Sequence, residues 1–423
     1  MTRDEAIRRI DWAVQENLKK LDLSGLDLEE LPSEIGKCTQ IETFVCTAYD
    51  GKGESRRVKR LIKFPDVILQ LTNLKGVNLS GNEINEIPEM LGQLSNLRQL
   101  NLSRNQITEI PEMLGQLSHL TQLDVSCNKI TKIPKTLGQL SNLTQIDISI
   151  NKITKIPEVI VQLSKLIQLD ACVNEINEIP EMLGQLSNLR QLNLSRNQIT
   201  EIPETLGQLS NLTRLYLNGN KITKIPATLG QLSNLTWLYL NDNKITEIPE
   251  ALAQMSNLTS LWLDDNKITE IPEALGQLSN LASVYLKCNK ITKIPETLGQ
   301  LSNLRELYLN DNEITEIPET LGQLSNLASV YLNGNQITEI PEALGQLSNP
   351  LQIDFSGNQI TFMPEVFSLQ QLRREQQSYD ICQYAEQVPQ KEFDQFFNDN
   401  SDYGHFLVFN TLEGVSEPSE EEE

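Results

Sequence analysis

Hydrophobic residues recur along most of the chain in a pattern that repeats every 23 residues. From Leu74 to Leu372 the chain divides into thirteen consecutive units of the form LxxLxLxxNxIxxIPxxLGQLSN. The first part of each unit, such as LTRLYL at Leu212, alternates apolar and polar residues, which predicts a short strand with one buried face. The second part, such as ITEIPEALGQLSN, places a Pro before helix formers, which predicts one or two turns of helix, either α or 3₁₀. Each unit would bury its apolar positions only against its neighbours.

An Asn follows the predicted strand in all thirteen units, from Asn82 to Asn358. A short amide at this point can bond backbone groups of the neighbouring turns, so we interpret the Asn residues as structural. The predicted fold is therefore α/β: a curved right-handed solenoid with a parallel β-sheet on its concave face and short helices on its convex face. Residues 83–112 recur without change at 175–204, which indicates duplication of a block.

The two ends of the chain depart from the repeat. Residues 1–17 are predicted to form an N-terminal capping helix, with Ile7, Ile10 and Val14 on one face. The solenoid of about 15 repeats spans residues 18–372. Its second repeat carries a basic insertion at 47–60. A C-terminal cap at 373–412 and an acidic disordered tail at 413–423 complete the predicted organisation.

Charge and composition narrow the class of partner. Asp and Glu outnumber Lys and Arg by 57 to 35, giving a net charge of −22 that would repel nucleic acid or an anionic membrane. No apolar run approaches the roughly 18 residues of a membrane span, and the first residues lack the apolar core of a signal peptide. The six cysteines form no CxxC pair, so we expect reduced thiols in a cytoplasmic protein.

The sequence offers little material for catalysis. His119 and His405 are its only histidines, and no GxxxxGK[ST] phosphate loop occurs. We therefore expect no enzymatic activity, no metal site and no cofactor. Two rows of glutamates run along the solenoid, one that includes Glu109 and one that includes Glu112. We interpret both rows as solvated flanks. The alternative is that they guide a basic partner electrostatically.

One outward-facing strand position changes character halfway along the solenoid. Earlier units place Asn or Asp there, from Asn78 to Asn193, whereas six successive units place an aromatic ring there. Such a row would span about 24 Å, the length of roughly seven residues of extended peptide. Exposed rings favour a protein interface, and the alternative is a cross-strand ladder that stabilises the sheet. The rings are Tyr216, Tyr239, Trp262, Tyr285, Tyr308 and Tyr331, with Trp237 beside them.

Charged residues near the rings complete the predicted partner-binding set, and they favour a basic protein or peptide as the partner. A secondary candidate set is basic and lies in the polar half of the concave face and in the insertion. The acidic members of the first set are Asp242, Asp264, Asp265 and Asp311. The members of the secondary set are Arg98, Arg104, Arg190, Arg196, Arg56 and Arg57.

The opening LKKLDLSGLDLEELPSEIGKCTQIETF and the units that follow resemble a known family. They are similar to the 23-residue leucine-rich repeats of intracellular Ras-group scaffolds and, above all, of bacterial Roco proteins, whose cyanobacterial members begin similarly. The resemblance covers about residues 7–372 and implies a recognition module without the GTPase domain that Roco proteins carry.

We therefore predict a scaffold that binds a protein or peptide on its concave face. A second hypothesis, which comes only from the Roco resemblance, is a regulatory or sensor subunit of a separately encoded GTPase. A third, a catalytic effector, would need an active-site domain that the roughly 50 residues after the repeats scarcely accommodate.

Overall fold

Short strands alternate with short 3₁₀-helices along the chain. The computed structural model describes residues 2–48, 60–347, 352–362 and 364. One α-helix, α1 (Thr2–Gln15), precedes them. The strands are β1 (Lys20–Asp22), β2 (Thr43–Val45), β3 (Gly76–Asn78), β4 (Gln99–Asn101), β5 (Gln122–Asp124), β6 (Gln145–Asp147), β7 (Gln168–Asp170), β8 (Gln191–Asn193), β9 (Arg214–Tyr216), β10 (Trp237–Tyr239), β11 (Ser260–Trp262), β12 (Ser283–Tyr285), β13 (Glu306–Tyr308), β14 (Ser329–Tyr331) and β15 (Gln352–Asp354). The 3₁₀-helices are η1 (Ser33–Lys37), η2 (Asp66–Gln70), η3 (Glu89–Gln93), η4 (Glu112–Gln116), η5 (Lys135–Gln139), η6 (Glu158–Gln162), η7 (Glu181–Gln185), η8 (Glu204–Gln208), η9 (Ala227–Gln231), η10 (Glu250–Gln254), η11 (Glu273–Gln277), η12 (Glu296–Gln300), η13 (Glu319–Gln323) and η14 (Glu342–Gln346).

All 15 strands form one open parallel sheet in which each strand pairs with the strands before and after it in sequence. The register places equivalent residues side by side, so that Leu238 lies opposite Leu215 on one side and Leu261 on the other. The predicted parallel sheet with short helices is confirmed. The choice between α- and 3₁₀-helix, which the pattern left open, is decided in favour of 3₁₀ for every repeat helix described.

The core runs along the whole stack. The middle residue of each repeat strand from β4 to β14 is fully buried, as Leu238 shows, while the first and third residues lie on the opposite side of the sheet. Helix α1 buries Ala6, Ile10 and Ala13, whereas Val14 is exposed. The expected buried face is confirmed for Ile10, whereas Ile7 is half-buried and the expectation is wrong for Val14, because the helix is turned so that Ala6 and Ala13 are buried with Ile10.

The recurring Asn residues join neighbouring repeats. In Asn105, Nδ2 donates hydrogen bonds to the carbonyl oxygens of Leu79 and Leu102, both at 3.0 Å. Its Oδ1 accepts one from the backbone N–H of Ile84, also at 3.0 Å. The same amide bonds recur from Asn82 to Asn358. Their structural interpretation is confirmed, because the amide pairs backbone groups that would otherwise be buried without a partner.

The 3₁₀-helices of successive repeats stack closely on one another, on the side of each repeat opposite its strand. Each begins after a Pro and most contain a Gly, for which Gly207 in η8 is typical. A Cβ at Gly207 would collide with the backbone carbonyl of Thr228 in the next repeat. Close stacking of η8 on η9 therefore requires a very small residue at this position, whereas η6 carries Val161 there.

Four cysteines, Cys38, Cys46, Cys127 and Cys172, are free thiols. Cys288, which is half-buried in the loop after β12, is disulfide-bonded, so the expectation of reduced thiols is wrong for this residue. The predicted C-terminal cap, the acidic tail and most of the insertion lie outside the described residues.

Candidate protein-interaction surface

The first and third residues of each strand form a surface that we call the strand face. Strand pairing aligns the third residues of β9 to β14, so the six rings predicted from sequence lie on adjacent strands. All six stack, with interplanar angles from 12° to 25°. The centroid separations along the row, from Tyr216 to Tyr331, are 4.8, 5.1, 3.7, 4.7 and 4.7 Å.

Stacking limits what the ring row, defined as these six residues, presents to solvent. Each interior ring has both faces covered by its neighbours, so it offers its edge to a partner. Tyr216, at one end of the row, is only 5% exposed, and the other five rings are half-buried. The row was predicted from the sequence, but its burial was not, because the rings were expected to face solvent freely.

Residues at the first strand position hold several rings in place. The indole Nε1 of Trp262 donates a hydrogen bond to Ser260 Oγ at 2.7 Å. The hydroxyl of Tyr285 donates one to Glu306 Oε2 at 2.6 Å, and Ser283 Oγ donates to the same oxygen at 3.0 Å. Burial, followed by the Glu306 hydrogen bond, raises the pKa of Tyr285. Trp262 and Tyr285 are therefore anchored laterally as well as stacked.

A cation–π contact extends this lateral support. The guanidinium of Arg214 lies 4.3 Å from the centroid of the Trp237 ring on the neighbouring strand. Sequence analysis named Trp237 but missed the roles of Arg214, Ser260 and Glu306. The sequence does contain a sign of these roles. Each of the three residues occupies the first strand position beside a ring, whereas Gln fills this position in every strand from β4 to β8.

Aspartates line the ring row where the chain leaves β10, β11 and β13. Asp264 accepts a hydrogen bond from the backbone N–H of Lys287 at 2.7 Å, yet burial raises its pKa to about 7. Burial, then the charge of Asp242, raises the pKa of Asp265 to about 6. Asp242, Asp265 and Asp311 occupy equivalent turns with left-handed backbone conformations. The structure therefore brings the four predicted aspartates together along one edge of the rings.

The polar half of the strand face, β4 to β8, is built differently. Asp124, Asp147 and Asp170 occupy the position that the rings take later. Oδ1 of each accepts a hydrogen bond from the backbone N–H two residues on, as between Asp147 and Ser149 at 2.9 Å. Burial is the main cause that raises the pKa of all three carboxyls, and for Asp147 the neighbouring aspartates add to it.

Comparison with known proteins identifies the repeat. Models described as leucine-rich repeat region, leucine rich repeat and leucine rich repeats (2 copies) match residues 168–293, residues 118–176 and 279–337, and residues 72–115, respectively. A leucine-rich repeat protein of Leptospira interrogans is 32% identical in sequence, with a TM-score of 0.73 over 83% of this chain and 93% of that chain. The chain belongs to the leucine-rich repeat family.

Other leucine-rich repeat structures are similar over most of the chain. An internalin from Listeria monocytogenes is 30% identical, with a TM-score of 0.64 over 72% of this chain and 86% of that one. A plant peptide hormone receptor, RGFR1 in complex with RGF2, is 29% identical, with a TM-score of 0.70 over 82% of this chain and 57% of the receptor chain. No curated protein sequence matches. The finer likeness to Roco proteins stays a prediction.

The arginines of the secondary set flank the sheet instead of meeting on it. Arg98 and Arg190 immediately precede β4 and β8, whereas Arg104 and Arg196 follow those strands. Arg104 is exposed, but Arg196 is half-buried and packs where Gly219, with φ of +67°, leaves room for its Cγ. Arg56 and Arg57 lie outside the described residues.

A shallow polar groove lies at the opposite edge of the strands from the aspartates. It is lined by Thr and Asn side chains of successive repeats, including Thr213, Thr236 and Asn234. Thr236 Oγ1 donates to the carbonyl oxygen of Thr213, and Asn234 Nδ2 donates to that of Ser210, both at 2.8 Å. We assign the groove a structural role in this leucine-rich repeat protein, because its donors join one repeat to the next.

Two negative findings concern only the part of the chain that the structure describes. There, no group of three or more His, Cys, Asp or Glu side chains is arranged to hold a metal ion. Within the same residues, no helix has the length and apolar character needed to cross a membrane.

Proposed function

We propose that this leucine-rich repeat protein is a non-enzymatic scaffold that binds a protein or peptide segment on its strand face. Tyr239, Trp262, Tyr285 and Tyr308 are the central anchors. The observation that carries the proposal is the row of six stacked rings, in which Trp262 and Tyr285 are also held by lateral hydrogen bonds. Large rings with fixed positions lose little conformational freedom on binding, which is why aromatic residues dominate the energetics of protein interfaces.

The arrangement of charges favours a partner with basic side chains. Ring edges carry partial positive charge, so backbone carbonyl oxygens and apolar groups of a peptide suit the rings. Lys and Arg of the same peptide would reach Asp264, Asp265 and Asp311 along the edge of the row. Lys287 is a lysine whose charge acts on Asp264 and Asp265, and burial raises the pKa of these carboxyls to about 7 and about 6, so a bound cation would favour their charged forms.

Similar proteins lend support to a peptide or protein partner. The plant receptor named above was solved in complex with RGF2. Association with a separately encoded GTPase and a cytoplasmic location stay predictions from the sequence, since no contact or charge described above bears on either.

A selection of displayed random peptides on the purified protein tests the proposal. We expect the recovered peptides to be rich in Lys and Arg, and their affinity can be measured by fluorescence anisotropy. Replacing the four anchors with Ser should weaken binding by about a hundredfold or more, because central aromatic anchors carry most of the energy of such interfaces. Circular dichroism would establish that the variant is folded.

A matched control changes the same strand position in the polar half. Asn101→Ser, Asp124→Ser, Asp147→Ser and Asp170→Ser alter four side chains on β4 to β7 and should leave peptide affinity within about threefold. Equal binding by wild type and the anchor variant would show that the rings serve only as a structural ladder.

A further inference from the structure

A second feature lies beside the strand face, between the left-handed turn that precedes the recurring Asn and the 3₁₀-helix of each repeat. Three exposed positions occur there: the residue after the Asn, the residue before Ile-Pro and the residue after the Pro, which starts the helix. In the repeats from η3 to η14, the third position is Glu in all but two cases, Lys135 and Ala227. The repeat that contains Lys135 has Lys at all three positions, and the repeat after it has Lys at two.

We call these five side chains and Ile150 the lysine surface. All five lysines are exposed. Among the described residues, the structure pairs one of them with a carboxylate, Lys155 with Glu178 at 3.1 Å. Glu158 is the one acidic residue at the three positions in these two repeats. The lysines are Lys129, Lys132, Lys135, Lys152 and Lys155.

The interactions of these lysines with each other and with the helix dipole do not stabilise the fold. The backbone N–H of Lys129 donates to Ile107 O at 2.8 Å and that of Lys152 to Ile130 O at 2.9 Å, so adjacent repeats are in direct contact at this edge. Equivalent lysines are therefore about one strand spacing apart, roughly 5 Å at the backbone, and repel each other. Lys135 also begins η5, a position where an acidic residue suits the helix dipole better.

Ile150 supplies an independent sign that this edge is not optimised for stability. Its backbone has φ of +51°, a left-handed conformation that is strongly unfavourable for a β-branched residue. Its side chain is 39% exposed, and it lies two residues before Lys152. Asp, Gly or Arg occupies the equivalent turn in several other repeats. A strained, exposed Ile beside five exposed lysines, of which Lys155 pairs with a carboxylate, is typical of a contact surface.

We propose that the lysine surface is a second docking site, which binds a short acidic segment of a partner protein that carries an apolar residue. The carboxylates would pair with the lysines and the apolar side chain would cover Ile150. A short segment fits because glutamates border the surface on both sides, with Glu109 and Glu112 before it and Glu178 and Glu181 after it. A nucleic acid or a membrane would extend over these glutamates and meet a chain of net charge −22.

The test measures binding of a fluorescein-labelled peptide of glutamates with a central leucine, by anisotropy at low and at physiological salt. Lys132→Glu, Lys152→Glu and Lys155→Glu together should weaken binding by roughly tenfold or more, since three attractive charge pairs become repulsive. The matched control is Lys224→Glu, Lys290→Glu and Lys293→Glu, which makes the same charge change at the same repeat positions and should leave affinity within about twofold. Equal loss in both variants would overturn the proposal, because net charge alone would then explain binding.

Ile150→Asn separates docking from folding. Asn tolerates the left-handed conformation, so this variant should melt at a higher temperature than wild type and yet bind the peptide several-fold more weakly. Val173→Asn is the matched control, since Val173 has φ of +51° at the same position of the next repeat and should gain stability without losing affinity. Unchanged peptide affinity in Ile150→Asn would remove the apolar part of the proposal. Binding of duplex DNA or phosphatidylserine vesicles without binding of the peptide would overturn it as a whole.

Discussion

The two halves of the strand face use the same backbone position in opposite ways. In β5 to β7, Asp124, Asp147 and Asp170 fold back on their own turns and accept hydrogen bonds from the backbone two residues on. In β9 to β14, the rings at this position are too large to do so and lie against each other. A short polar side chain thus accepts a hydrogen bond within its own repeat, to which Asp170 adds one from Asn193 in the next, whereas a ring depends on the repeats on either side.

This difference explains why the aromatic half is the better candidate for recognition. Oδ1 of each of the three aspartates already accepts a hydrogen bond from the backbone, so these side chains offer less to a partner. The ring row continues across six strands with its edges available and with fixed geometry. The following experiments test whether the two halves differ as described.

The largest effect is expected from placing a carboxylate inside the ring row. Tyr285→Asp would remove two stacking contacts and set a charge between Trp262 and Tyr308, beside Glu306. We expect a loss of about 3 kcal/mol in the free energy of unfolding. Denaturant unfolding followed by circular dichroism measures it, and hydrogen exchange should place the loss at β11 to β13.

The reverse change provides the comparison. Asp147→Tyr removes a carboxyl whose charge is disfavoured but gains no ring neighbour, so it should cost less than Tyr285→Asp. Equal costs would mean that the ring row contributes no more stability than the polar half.

A smaller effect of opposite sign is expected in the polar half. Burial, then Asp170 and Asp124, raises the pKa of Asp147, so the folded state binds its proton more readily than the unfolded chain. Its contribution to stability therefore grows as the pH falls through the folded pKa and is complete below the unfolded value of 3.8. Asp147→Asn keeps the oxygen that accepts from Ser149 and should stabilise the protein by about 1 kcal/mol at neutral pH, with a shallower dependence on pH.

Thermal melting between mildly acidic and neutral pH measures this effect. Glu313→Gln, at an exposed position after Asn312, removes the same charge and should leave the stability close to that of the wild type. An equal gain from both variants would assign the effect to net charge instead of burial.

The smallest effect concerns the lateral support of the rings. Glu306→Gln keeps an oxygen near Tyr285 and Ser283 but loses the charge, so it should cost at most about 1 kcal/mol. Because burial is the main cause of the raised pKa of Tyr285 and Glu306 the next, the variant should lower that pKa only in part. The difference in tyrosine absorbance titrations between variant and wild type shows it, and identical titrations would contradict the hydrogen bond.

Much of the fold and part of the candidate surface could be predicted from the pattern of residues. Period-two alternation predicted the strands, and the 23-residue spacing predicted which residues become neighbours, including the ring row. The hydrogen bonds of Ser260, Ser283 and Glu306 and the contact of Arg214 with Trp237 were not predicted. They depend on side-chain directions, within β11 for Ser260 and across two strands for the others, which spacing along one chain does not specify.

The duplicated block shows which properties a repeat takes from its own sequence and which it takes from its neighbours. Residues 83–112 and 175–204 are identical and form the same strand, turn and helix, because each repeat takes its local structure from its own alternation, its Asn and its Pro. Yet Arg104 is exposed while Arg196 is half-buried, and Asn101 is half-buried while Asn193 is buried. The sequence by itself determined the repeat, the sheet and the row of rings. Only the tertiary structure decided burial, pKa and accessibility, because these depend on the side chains that the neighbouring repeats bring beside each residue.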